Sequence, residues 1–144
     1  MQAKTMEEAV KAVTESKADA EVRVIRRMEA GSAVQQGDVY LHAVEADHPR
    51  GKRLGKDSVQ IALGTGNGAR HMVEGEVEVY EGTRLPETVK PPLNAEAREV
   101  TGPVVVAKKP FKLTHPEHAH FALPAGTYQT TYQYDPRTMR RVQD

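Results

Sequence analysis

The sequence predicts a mainly β protein: a small antiparallel β-barrel, roll or sandwich with a short N-terminal α-helix. Several segments alternate apolar and polar residues with a period of two, as half-buried strands do. Clusters of Gly, Pro, Asn and Asp separate these segments at short intervals. Helical periodicity appears near the N-terminus. The alternating segments are Val39–Val44, Val59–Leu63, Gly75–Tyr80 and Gly126–Tyr134.

A chain of 144 residues is expected to form one domain, 1–144, that is long enough to bury a hydrophobic core. We divide it into an N-terminal helix or arm (1–20), a β core (21–134) and a C-terminal tail (135–144). Within the core, the stretch 84–94 holds three prolines and is expected to be an extended connection.

The charge balance and the lack of cysteine exclude several classes of function. Twenty basic and twenty acidic residues cancel, so no overall field attracts nucleic acid or an anionic membrane. Without cysteine there are no disulfides, thiolate nucleophiles or cysteine zinc sites. The sequence shows neither a secretory signal nor a membrane-spanning apolar stretch. We therefore expect a soluble, cytoplasmic protein, or a virion component if the chain derives from a phage.

The N-terminal helix is predicted from a capping box and from helical spacing. Thr5 and Glu8 stand three residues apart, as the two partners of such a box do. Met6, Val10 and Val13 then recur on one helical face, which predicts a helix over Met6–Ser16. The next segment, 21–27, fits either a strand or a continued helix.

The segment after the Val39–Val44 strand is predicted to be a loop, 47–57, because its residues are mostly charged or turn-forming. Such a basic loop could contact phosphates. It lacks aromatic side chains for base stacking, so a solvated loop is the favoured interpretation and nucleic-acid binding a weaker one. Its basic residues are Arg50, Lys52, Arg53 and Lys56.

The glycine-rich stretch 64–68 does not predict a nucleotide site. Its spacing is G-x-G-x-G, and the next regular segment alternates like a strand. A dinucleotide-binding loop instead needs G-x-G-x-x-G followed by a helix. We expect no nucleotide cofactor.

Three closely spaced histidines, His115, His118 and His120, form the candidate site. On an extended segment His118 and His120 would share one face, as two ligands of one metal must. The segment around His71 could join them if the fold allows. Such ligands suit zinc, iron, manganese or nickel, and residue type does not choose among these metals. Further candidate ligand-binding residues are Arg70, Glu74 and Glu117.

Part of this stretch resembles the cupin family, small β-barrels whose metal site uses an H-x-H pair, a glutamate and a later histidine. The motif His118-Ala119-His120 is similar to that pair, and Pro124-Ala125-Gly126 is similar to the P-x-G turn of the second cupin motif. The order differs, since only three residues separate the two motifs here. Gln129 stands where the late histidine would fall.

A longer part of the chain resembles a group of small uncharacterised bacterial proteins, some of them phage-borne. The shared pattern comprises Gln36-Gly37-Asp38-Val39, Gly68-Ala69-Arg70-His71, and the stretch from Leu113 to Tyr128. The resemblance implies a family but no activity. It places His71, His115 and His118 ahead of His120 as site residues, because those three carry the motif.

The leading hypothesis is a β-rich binding or assembly protein whose histidine cluster takes a divalent metal or a small polar ligand. The alternative is a non-enzymatic phage or mobile-element protein that assembles as a homo-oligomer or with a protein partner. A weak nucleic-acid contact module is the third. The residues leave open whether the protein is an enzyme, since His71 or His118 could act as a general base beside Arg70.

Overall fold

The structure, a computed structural model, describes residues 21–63, 70–89, 102–135 and 140–141. No helix lies within these ranges, so none there could span a membrane, and the helix predicted over Met6–Ser16 falls outside them. The strands are β1 (Val22–Val24), β2 (Ala33–Gln36), β3 (Val39–Val44), β4 (Arg53–Leu63), β5 (Arg70–Tyr80), β6 (Val104–Ala107), β7 (Phe111–Thr114), β8 (His120–Leu123), β9 (Gly126–Tyr132), β10 (Tyr134–Asp135) and β11 (Arg140–Arg141).

Strand β5 is the branch point of the main sheet. One of its edges pairs with β4, while β7 and β6 divide the other edge between them. Met72–Glu74 pair with β7, and Val77–Tyr80 pair with β6. Two arms leave from there: β7, β8 and β1 on one side, and β6, β9, β3 and β2 on the other.

The two arms separate at Gly75, between the parts of β5 that pair with β7 and β6. Gly75 has a φ of +139°, which residues with a Cβ rarely adopt. A Cβ there would also lie 3.1 Å from the Cβ of Phe111, at the start of β7. Glycine at this position allows β7 to approach the backbone of β5 closely.

The sheet curls into a half-barrel, and the inward-facing residues of its strands form one hydrophobic core. Pairing is antiparallel except between β1 and β8, which run parallel, so the predicted all-antiparallel arrangement is wrong at that edge. Two side chains bridge sequence-distant strands: Gln36 bonds to the carbonyls of Leu113 and Ala119, and the Tyr132 hydroxyl donates to the carbonyl of Ile61 at 2.8 Å.

The core is built from the inward-facing residues of the alternating strands. Phe111 and Tyr128 meet edge to face at its centre, with ring centroids 5.4 Å apart. Other buried members include Val39, Leu41, Val73, Val79, Val105, Leu113 and Leu123. Burial of these side chains is the main source of stability in a domain of this size.

The four segments predicted from alternation overlap β3, β4, β5 and β9, and β3 has the predicted bounds. The loop predicted over 47–57 is wrong in its last part, because β4 begins at Arg53. Strand β5 begins at Arg70, so His71 and Glu74 belong to a strand. The first residues of β4 are mostly charged residues and glycine, so composition alone made them resemble a loop.

Candidate functional site

Three segments that are distant in sequence meet at one buried polar cluster. They are the turn between β2 and β3, the start of β5, and the bend that follows β7. We call His71, His115 and His118 the histidine cluster. The side chains of His71 and His115 are 0% and 1% exposed, whereas His118 is half-buried. The cluster thus extends from the interior to the surface.

The three imidazoles are in mutual ring contact. The ring centroids of His71 and His115 are 4.4 Å apart, and those of His115 and His118 are also 4.4 Å apart. His71 and His118 are nearly parallel, with an interplanar angle of 16° and centroids 6.2 Å apart.

Gln36 determines which ring nitrogen of His71 carries a proton. Its amide nitrogen donates to the carbonyls of Leu113 and Ala119, at 3.1 Å and 2.8 Å. A carbonyl can only accept, so the amide orientation is defined and Oε1 faces Nδ1 of His71, 2.9 Å away. Because Oε1 is also an acceptor, Nδ1 must be the donor. His71 therefore has its proton on Nδ1.

The other nitrogen of His71, Nε2, lies 3.3 Å from Oδ1 of Asp38, and both side chains are buried. In the neutral Nδ1–H tautomer, Nε2 presents a lone pair to a carboxylate oxygen. Two acceptors at this distance repel each other unless a positive charge lies between them. The pair therefore favours a proton or a metal ion at this point.

His115 has the opposite tautomer. Its Nδ1 accepts the backbone N–H of Glu117 at 3.0 Å. A neutral His115 therefore carries its proton on Nε2 and presents an N–H donor there. The Thr-His-Pro-Glu bend positions the ring through this local side-chain-to-backbone bond.

A two-residue turn brings Gln36 and Asp38 together. Gly37 has a φ of +60° at the first position of the turn, as the type II′ hairpin requires. Gln36 pairs with Val39 to close the hairpin, so the residues on either side of the glycine lie at its tip. In the sequence, Gln36, Gly37 and Asp38 stood out only as part of the shared family pattern, which did not predict their contact with His71.

The remaining predicted site residues lie around the cluster. His120 begins β8, and its Nε2 lies 3.1 Å from the carbonyl oxygen of His115. Glu74 accepts a bond from the Thr114 hydroxyl at 3.1 Å, and it is exposed, as are Arg70 and Glu117. Among the described residues, no group of three or more His, Asp or Glu side chains forms a ready-made metal site.

The predicted basic loop is divided between protein contacts and solvent. The guanidinium of Arg50 donates to the carbonyls of Ala46 and His48 and lies 5.4 Å from the ring centroid of Tyr80. Arg53 forms an ion pair with Glu78 at 3.5 Å. Lys52 and Lys56 are exposed.

A second buried histidine is also held by a glutamine. Nε2 of His48 lies 2.7 Å from Oε1 of Gln129, whose amide nitrogen donates to the carbonyls of Gly102 and Thr130. Burial lowers the pKa of His48 from its usual 6.5, although the bond to Gln129 opposes this shift. His42 is buried as well, with Nε2 2.8 Å from the Thr131 hydroxyl.

The structure is therefore a β half-barrel in which a hairpin tip, a branching strand and a bend contribute a buried cluster of His, Gln and Asp side chains. The chain belongs to the family described as a domain of unknown function (DUF8820), which matches residues 35–133, more than half of the chain. No curated protein sequence and no solved structure matches it significantly.

The matched range includes the β2–β3 turn, His71 and the bend after β7. The prediction of an uncharacterised family is thereby confirmed. A bacterial or phage origin and the likeness to cupins stay predictions.

Proposed function

We propose that this chain is a small binding protein whose histidine cluster is the ligand site, for a divalent metal or a small polar ligand. The convergence of three sequence-distant segments on one set of polar side chains supports this proposal most. Buried polar groups cost folding free energy unless they are well satisfied.

The half-buried position of His118 defines the entrance to the site. A ligand arriving from solvent would meet this ring first, and His115 and His71 lie behind it. The three rings offer both N–H donors and lone pairs, which suits a metal ion as well as a polar molecule.

The test is a titration followed through the histidine side-chain NMR signals. The probes are zinc, manganese, nickel and anaerobic iron(II), with inorganic phosphate and acetate as polar ligands. We expect at least one probe to bind saturably and shift the signals of His71 and His118. The variant His118→Ala should lose this response. The matched variant His120→Gln, which can still donate to the carbonyl of His115, should keep it.

Two results would contradict the proposed function. One is that none of these probes shifts a signal of the cluster. The other is that a shift persists at full strength in His118→Ala.

A second candidate function, a non-enzymatic assembly protein, is supported by strand β1. Val22 and Val24 are 41% and 57% exposed on this edge strand, and exposed apolar edges are templates for pairing. The proposed occupant is β1 of a second copy, paired about a two-fold axis. Light scattering should then show a dimer that Val24→Lys converts to a monomer. A monomeric wild-type protein would exclude this candidate.

A further inference from the structure

We infer that the ligand of the cluster is a divalent transition metal ion, held between Nε2 of His71 and Oδ1 of Asp38. This inference rests on the proposed function and deepens it, because it adds Asp38 as a ligand and assigns Gln36 as the residue that orients His71. It follows from three features of the geometry.

The first feature is the tautomer of His71. A metal-ligating histidine commonly donates its other ring N–H to an acceptor, which fixes the ring and frees the ligating nitrogen. The bond from Nδ1 of His71 to Oε1 of Gln36 has this form. Since the carbonyls of Leu113 and Ala119 hold the amide, Gln36 cannot easily reverse it.

The second feature is the separation of the two proposed ligand atoms. Bonds of about 2.0–2.1 Å from zinc to a histidine nitrogen and a carboxylate oxygen, at a tetrahedral angle, place those atoms roughly 3.3 Å apart. Nε2 of His71 and Oδ1 of Asp38 lie 3.3 Å apart. The two atoms are therefore already spaced as neighbouring ligands of one ion.

The third feature is the supply of further ligands. We assign the third ligand to His118, which is half-buried and whose ring centroid lies 6.2 Å from that of His71. Water would complete the coordination, as in sites that keep an open position. His115, whose Nδ1 accepts a backbone N–H, would instead donate from Nε2 to a metal-bound water or anion.

The alternative occupant is a proton, which would make the pair a buried imidazolium–aspartate ion pair. The ligand set of nitrogen and oxygen suits zinc, iron(II), manganese and nickel, and it lacks the soft sulfur ligands that favour copper(I). A proton and a metal ion are distinguished by titration.

The experiment uses the full chain, purified without a tag and treated with chelator, and titrates it with cobalt(II) and zinc. We expect one equivalent to bind and the cobalt complex to show the visible absorption of a low-coordinate site. Asp38→Asn, which keeps the shape of the side chain, and Gln36→Met should each weaken binding by roughly 10- to 100-fold. His42→Gln removes a buried imidazole outside the cluster and should leave binding unchanged.

Wild-type protein that binds neither metal, or Asp38→Asn that binds as tightly as wild type, would overturn the inference. If a variant does not fold, anomalous diffraction from wild-type crystals grown with zinc decides: a peak near both Nε2 of His71 and Oδ1 of Asp38 supports the site, and a peak elsewhere or none overturns it. If neither metal binds but phosphate or acetate does, the metal site is refuted and the proposed function stands. A cluster that responds to no probe would refute both.

Discussion

In two buried histidines of this protein, a neighbouring glutamine determines which ring nitrogen carries the proton. In each case the amide nitrogen of the glutamine donates to two backbone carbonyls, so its oxygen must accept from the imidazole. Gln36 acts on Nδ1 of His71, and Gln129 acts on Nε2 of His48. A residue without charge thus defines where the proton of a titratable neighbour lies.

We predict that His48 makes the protein less stable in mild acid. Its pKa is lowered by burial in the folded state, whereas in the unfolded chain it titrates near 6.5. As the pH falls below 6.5, the unfolded chain takes up a proton that the folded chain does not, so the free energy of unfolding decreases. Urea unfolding at about pH 7.5 and pH 5.5 measures this loss. It should be smaller in His48→Gln, and an equal loss in both proteins would contradict the assignment.

A second prediction concerns the alkaline limit of stability. Burial raises the pKa of Tyr128 from 10 to about 12. Between these values the unfolded chain releases the phenol proton and the folded chain retains it, so stability falls as the pH rises from 10 to 12. Thermal unfolding across this range should show a shallower decline in Tyr128→Phe. That variant also loses the bond to the carbonyl of Pro124, so only the slope is compared.

At the scale of elements, β5 depends on Gly75 to serve both arms of the sheet. We predict that Gly75→Ala lowers the free energy of unfolding by roughly 1–3 kcal/mol or more, through the unfavourable φ and the contact with Phe111. Gly31 is the matched control. Its φ is also positive, at +98°, but a Cβ there would meet no atom within 4 Å. Denaturant unfolding should show the larger loss for Gly75→Ala, and equal losses would show that the approach of β7 is not constrained there.

The β2–β3 hairpin is predicted to be anchored by its tip. Gln36→Leu leaves the buried carbonyl of Leu113 in β7 and the part-buried carbonyl of Ala119 without this donor, which should cost about 1–3 kcal/mol. Gln35→Leu is the matched control, because Gln35 is exposed and its amide reaches only the carbonyl of Gly37. The two variants are compared by urea unfolding. A loss no larger in Gln36→Leu than in Gln35→Leu would contradict the anchoring role.

At the scale of the whole molecule, period-two alternation was enough to predict the β class and to locate β3, β4, β5 and β9. The branching of the sheet could not be predicted in this way. One edge of β5 pairs with the preceding strand β4 and the other is shared by β6 and β7, and alternation does not say which strands pair. The parallel edge formed by β1 and β8 was missed for the same reason.

The candidate site was predicted in part. The close spacing of His115, His118 and His120 predicted them as candidate site residues, and the family resemblance supported His71 as a further one. Residue type could not show that Asp38 reaches His71, because the two are brought together only when the hairpin tip meets β5. Asp is a common residue beside Gly in turns, so residue type offered no reason to single out Asp38. Its burial, which marks it as unusual, is visible only in the folded structure.

The central claim is that Gln36 holds His71 with its proton on Nδ1, so that Nε2 faces Asp38 and can bind a metal ion. Long-range proton–nitrogen NMR of the histidine side chains, in metal-free protein and then with zinc, measures this most directly. We predict a protonated Nδ1 in His71 and a large shift of its Nε2 signal on addition of zinc. An unprotonated Nδ1, or an Nε2 signal that zinc does not affect, would contradict the claim.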